Sequence, residues 1–169
     1  MARTKKSKKI TKIFLDMDGV ISDFSKRYRE LFNITPQQAD RNRNFNGFFD
    51  SFIQTKQFAS LDMMPDAKIL LNFLNTLDIP IEILSSTARA ESHEDISNQK
   101  MVWLSSHGIN YPRNFVPGKS LKYKFATPKS LIIDDTKTVI DEWIEAGGIA
   151  IHHKDATATI LSLNDLLND

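Results

Sequence analysis

Short apolar runs of strand length alternate with amphipathic segments along this chain, and that alternation restricts the fold more than any other feature. Ile13-Phe14-Leu15, Ile81-Glu82-Ile83-Leu84, Phe115-Val116, Leu131-Ile132-Ile133 and Ile149-Ala150-Ile151 read as strands. Between them, apolar residues recur at helical spacing over 24–32, 69–77, 96–107, 138–146 and 156–167. Strands alternating with helices predict an α/β fold, a Rossmann-like three-layer structure with a parallel sheet covered on both faces. Ligands of such sheets bind beyond the carboxyl ends of the strands. That rule brings Asp16, Asp18, Ser85, Ser86, Asp134 and Asp135 to one edge.

Two of these strand ends are acidic. Ile13-Phe14-Leu15 runs into Asp16-Met17-Asp18-Gly19, and Leu131-Ile132-Ile133 runs into Asp134-Asp135. In a regular strand Asp16 and Asp18 share a face; a bend at Gly19 lets both converge on one point. Carboxylates gathered there repel one another, so a cation or a shared proton is expected. Oxygen donors without His or Cys suit a hard divalent ion, above all Mg2+. The hydroxyls of Ser85 and Ser86, with an ammonium, suit phosphoryl oxygens. A carboxylate facing a phosphoryl group can attack it, and a second acid can serve the leaving group and then water.

Length and composition admit one domain with a small insertion. The 169 residues carry 22 Lys and Arg against 21 Asp and Glu, so no global field favours nucleic acid or membrane. The charge is uneven, with Arg3, Lys5, Lys6, Lys8, Lys9 and Lys12 crowding the start; residues 1–10 read as a basic flexible tail. With no cysteine, disulfides, thiolate metal sites and a Cys nucleophile are excluded. No apolar run approaches the roughly 20 residues of a membrane span, and no signal-peptide core follows the basic start. A cytoplasmic location is expected.

Seven of the eleven phenylalanines fall between residues 24 and 58. That bias, with Thr35-Pro36 as a helix start, marks residues 23–64 as a small, mostly helical cap with its own apolar cluster. The catalytic core is then 11–22 and 65–169. Trp103 and Trp143, at helical spacing among apolar neighbours, belong to the core. The four histidines have no ligand spacing with the acids, and Pro117-Gly118-Lys119-Ser120 lacks the earlier glycine of a P-loop.

These motifs, in this order, resemble those of the haloacid dehalogenase-like phosphohydrolases: Asp16-Met17-Asp18-Gly19-Val20, Ser85 after a strand, a later lysine, and Asp134-Asp135. Within that superfamily the chain is similar to the 5'(3')-deoxyribonucleotidases in Asp16-Met17-Asp18-Gly19-Val20 with Asp23-Phe24, in Phe58 with Leu61-Asp62-Met63-Met64-Pro65, in Lys100-Met101-Val102-Trp103, and in the last acidic strand. It departs at Ser85-Ser86-Thr87-Ala88-Arg89 and in the cap segment 36–57. The resemblance implies Asp16 as nucleophile and Asp18 as acid and base. It implies Mg2+ held by Asp16, the Asp18 carbonyl and Asp135, with Asp134 behind. Phosphate would be held by Ser85, Ser86, Lys100 and Lys124, with Lys122 and Lys119 close competitors of Lys124, and Phe24 would lie under a nucleobase. The expected activity is hydrolysis of a small phosphomonoester, a nucleoside monophosphate, with no membrane partner. A phosphatase of polynucleotide 3' ends, a phosphatase of other small metabolites and an inactive nucleotide- or protein-binding module are the competing expectations.

Overall fold

The structure, a computed structural model, describes residues 9–43 and 45–168. The elements in order are β1 (Lys12–Leu15), α1 (Phe24–Phe32), α2 (Pro36–Arg41), α3 (Phe45–Gln54), α4 (Ala67–Leu74), β2 (Ile81–Ser86), α5 (His93–Ser106), β3 (Arg113–Val116), β4 (Ser130–Asp134), α6 (Lys137–Glu145), β5 (Ile149–His152) and α7 (Ala156–Asn168). Three 3-10 segments, Gln57–Ser60, Ala90–Ser92 and Lys119–Phe125, complete them. The strands pair in parallel in the order β3-β2-β1-β4-β5. The α/β sheet read from the sequence is therefore the one that forms.

Alternation along each strand divides the core into two layers. Ile13, Leu15, Ile83, Leu131 and Ile133, all fully buried, pack with Leu70 and Leu74 of α4, Trp103 and Leu104 of α5, and Leu163 of α7. Phe14, Leu84, Val116 and Ile132 point the other way, onto Val139, Ile140 and Trp143 of α6 and onto Leu121 and Phe125. Phe14 meets Trp143 edge-on at 5.5 Å and Phe125 at 5.7 Å. Each face is apolar, and each strand contributes to both because side chains two apart in a strand share one. Among the described residues, no helix is long and apolar enough to cross a membrane.

The chain leaves the sheet after β1 and returns to it through α4 and β2, and the insertion departs and comes back at one point. Ser22 pairs with Met63, Met64 N–H donates to the Ile21 carbonyl at 2.9 Å, and Asp23 N–H donates to the Asp62 carbonyl at 2.9 Å. Local chemistry starts its helices. Asp23 accepts the Lys26 N–H ahead of α1, and Thr35 and Gln38 form a reciprocal capping box ahead of α2, with Pro36 at the first position. Tyr28, Phe49, Phe52 and Phe58 are buried, ringed by Phe24, Phe32, Phe45 and Phe48. The expected aromatic cluster forms, but it is continuous with the core beneath the sheet rather than separate.

Several boundaries differ from the sequence reading: α4, read over 69–77, runs Ala67–Leu74. α5 begins three residues early, at His93, because its first turn is polar and carries no apolar period. Residues 1–8 of the basic start lie outside the described residues, while Ile10, expected in the tail, is packed in the core.

Candidate active site

The sheet order places β1 between β2 and β4, so connections leave to either side of it. This is the switch point where α/β sheets open a crevice at their carboxyl ends. Asp16 sits at its floor, 5 % exposed, its N–H donating to the Ile133 carbonyl of β4 at 3.0 Å. Past it the backbone winds into a turn in which the Met17 carbonyl accepts from the N–H groups of Val20, Ile21 and Ser22. Gly19 holds this turn at φ +83°, and a Cβ built there would lie 2.0 Å from Asp135 Oδ2. The missing side chain is the space that Asp135 fills.

Gly19→Ala is therefore expected to strain the turn, by about 1–2 kcal/mol for the left-handed conformation alone, and to displace Asp135. Thermal unfolding and divalent-ion titration of the purified variant should show a lower Tm and weaker ion binding together. A variant matching the parent in both would remove this role from Gly19.

Lys122 joins the two acidic strand ends. Its Nζ donates to Asp16 Oδ1 at 2.8 Å and to Asp134 Oδ2 at 2.7 Å, and all three residues are buried. The second Asp134 oxygen accepts the Thr136 N–H at 2.9 Å, while Asp135 faces the open pocket. Burial, the charge of Asp134 and, more weakly, that of Asp135 push the Asp16 carboxyl up to about 8, against the pull of Lys122. Loss of solvation and the charge of Asp134 push Asp135 up to about 6. Burial by itself would lower the Lys122 pKa, but Asp16 and Asp134 hold it above the ordinary lysine value.

One ammonium thus leaves this cluster short of positive charge. Carboxylate oxygens of Asp16, Asp134 and Asp135 lie within 4.8 Å of one another. An all-oxygen set of gathered carboxylates, whose ionised forms repel one another, fits a hard divalent ion.

Asp18 also lines the pocket. Ser22 Oγ donates to its Oδ1 at 2.9 Å and Lys100 Nζ to its Oδ2 at 2.6 Å. Lys100, 1 % exposed, also donates to Ser85 Oγ at 2.8 Å, so Lys100 and Ser85 stand behind Asp18 rather than on the pocket surface. Ser86, with Thr87 and Ala88, does line the pocket. Ala88 takes φ +68°, its N–H donating to Ser86 Oγ at 3.0 Å.

The cavity of about 370 Å³ over these residues has two unlike ends. Asp16, Asp18, Asp135, Lys122, Lys119 and Ser86 line the floor, and Phe24, Phe45, Phe49 and Phe58 line the side made by the insertion. Phe24 and Phe58 lie parallel, 5.5 Å between centroids at an interplanar angle of 8°. Of the residues singled out in the sequence, Asp16, Asp18, Asp135, Ser86 and Phe24 meet in this cavity, and Asp134 stands beneath it. Lys124 does not: it is exposed and off the pocket, and Lys122 occupies the place between the aspartates. Phe45, Phe49 and Phe58 join Phe24 at the pocket, a convergence signalled only by the excess of phenylalanine in this stretch.

No protein-family model and no curated protein matches the sequence. Solved structures do match the fold. A hydrolase from Streptococcus pneumoniae TIGR4 aligns over 95 % of this chain and 100 % of its own, at 15 % identity and a TM-score of 0.52. A haloacid dehalogenase-superfamily hydrolase from Ehrlichia chaffeensis aligns over 95 % and 98 %, at 11 % identity and a TM-score of 0.54. The fold is that of the haloacid dehalogenase-like core, a five-stranded parallel sheet with a helical insertion after the first strand.

Proposed function

We propose that this protein is a Mg2+-dependent phosphomonoesterase acting on nucleoside monophosphates through an aspartyl-phosphate. The observation that carries the reading is the two-ended cavity, with carboxylates, an ammonium and a hydroxyl on its floor and aromatic rings on its side. An Asp16 oxygen attacks phosphorus and the bond to the ester oxygen breaks. The departing alkoxide takes its proton from Asp18. Asp18, now anionic and hydrogen-bonded by Lys100, takes a proton from water as the water attacks the aspartyl-phosphate, releasing phosphate and restoring Asp16.

Lys122 and Ser86 hold the phosphoryl oxygens. Asp16 and Asp135, with the Asp18 carbonyl, would hold Mg2+, and Asp134 steadies Lys122. The bound ion supplies positive charge that lets two anions approach.

A phosphoryl group offers no discrimination between esters, so selection falls to the aromatic side. A ring stacked on a nucleobase is worth about 1–3 kcal/mol. Phe24→Ala is therefore expected to lower kcat/KM for a nucleotide by roughly 5- to 150-fold and to leave p-nitrophenyl phosphate little changed. The test is turnover on a panel of mononucleotides, sugar phosphates and 3'-phosphorylated oligonucleotides, with Mg2+ and with EDTA. Better turnover of oligonucleotides, falling steeply with salt, would replace the mononucleotide reading with the polynucleotide-end one.

A further inference from the structure

One helix of the core, α5, grips both ends of the cavity with adjacent side chains. Lys100 reaches Asp18 and Ser85 on the catalytic side. Gln99, its neighbour and only 7 % exposed, turns to the insertion. Its Nε2 donates to the Ile53 carbonyl at 2.9 Å, and its Oε1 accepts the Phe58 N–H at 3.2 Å. These are the end of α3 and the start of the next 3-10 segment, where backbone groups run out of partners within the element. One turn further on, Trp103 Nε1 donates to the Leu61 carbonyl at 2.7 Å. Segment 53–61 is thus fastened to the core by side chains of α5, and its Phe58 ring lies parallel to Phe24 on the cavity wall.

We propose that Gln99 is a positioning residue for substrate selection: by holding the backbone at Ile53 and Phe58 it sets the distance of the aromatic wall from Asp16 and Asp18. The proposal rests on the reading of that wall as the seat of the ester's organic group. Gln99 meets neither substrate nor metal. It acts through Phe58, and Lys100 beside it ties the same helix to the catalytic acid. A wall fixed to the helix that holds Asp18 is already in place before substrate arrives, and misplacement of about 1 Å in such a site costs up to ~10²-fold. Nothing in the sequence distinguishes Gln99 from an exposed helical glutamine.

The experiment compares kcat/KM for deoxyuridine 5'-monophosphate with that for glycerol 2-phosphate, in the parent protein, Gln99→Leu and Gln99→Glu, with Tm recorded for each. Gln99→Leu removes both hydrogen bonds, whereas Gln99→Glu keeps length and the acceptor for Phe58. The nucleotide-to-glycerophosphate ratio is expected to fall about 10-fold in Gln99→Leu and less in Gln99→Glu, a misplacement effect. Glycerophosphate turnover should stay within about twofold, since the catalytic groups are untouched. In a Phe58→Leu background, Gln99→Leu should move the ratio by less than about twofold, because both act through one ring. If Gln99→Leu unfolds, Gln99→Glu carries the comparison alone. A ratio unchanged in the folded variants, or a full effect persisting without the Phe58 ring, overturns the role of Gln99. A parent protein that turns over both esters equally overturns the nucleotide reading instead, and with it the selection that Gln99 would serve.

Discussion

Asp16→Asn is expected to abolish hydrolysis of every phosphomonoester and to leave no acid-stable, hydroxylamine-sensitive phosphoryl group on the protein. The amide cannot form the aspartyl-phosphate, and two neighbouring carboxylates are already engaged: Asp134 is held by Lys122 and Thr136, and Asp18 by Lys100 and Ser22. Asp18→Asn should behave differently. Under the proposed mechanism it keeps the nucleophile but loses the group that would exchange protons with leaving group and water, for a loss on the order of 10²–10⁴. An activated leaving group such as p-nitrophenol needs little protonation, so the first step of the Asp18 variant should be partly rescued on that ester. Burst kinetics would then show the phosphoryl-enzyme accumulating as the second step stalls. Near-normal turnover by Asp16→Asn would rule out covalent catalysis at this residue.

Lys122→Met is the second substitution with a large expected effect, and it acts on stability and activity together. The parent ammonium lies between two buried carboxylates, at 2.8 Å from Asp16 and 2.7 Å from Asp134. Removing one partner of a buried pair typically costs about 3–5 kcal/mol, because the charge left behind is uncompensated. The loss should depend on pH. Even with Lys122 present, the Asp16 carboxyl is raised from 3.8 to about 8, first by burial and then by Asp134. A carboxyl whose folded pKa lies above its unfolded value binds more protons when folded. Its effect on stability is therefore neutral below the unfolded pKa and grows unfavourable as pH rises to the folded one. Without Lys122 that penalty widens, so the deficit in unfolding free energy against the parent should be small near pH 4 and largest above pH 8. Denaturant melts at several pH values measure it directly, and a deficit independent of pH would mean that Lys122 matters only for packing. Under the proposed mechanism turnover should be lost at all pH values, since Lys122 would be the ammonium on the phosphoryl oxygens.

The alternation of strand and helix was written in single residues of the sequence, and so was the edge where the acids meet. The turning of Ile13, Leu15, Leu131 and Ile133 to one face of the sheet, with Phe14 and Ile132 to the other, follows from local geometry. Acids placed directly after those strands can lie only at their carboxyl ends. Gly19 was legible for the same reason, because a turn at φ +83° tolerates few other residues.

What tertiary structure decided was which of several similar residues turned inward. The family resemblance favoured Lys124, but residues 119–125 form a 3-10 segment, whose side chains align every third residue. Lys119 and Lys122 therefore share the face toward the cavity, and Lys124 faces solvent. Ser85 and Ser86 alternate across a strand, so only Ser86 reaches the cavity, while Ser85 passes behind to Lys100. The pairing of Gln99 with Ile53 and Phe58 spans more than forty residues of sequence. Such contacts arise only when the insertion folds back on α5, and no local propensity of a glutamine in a helix encodes them.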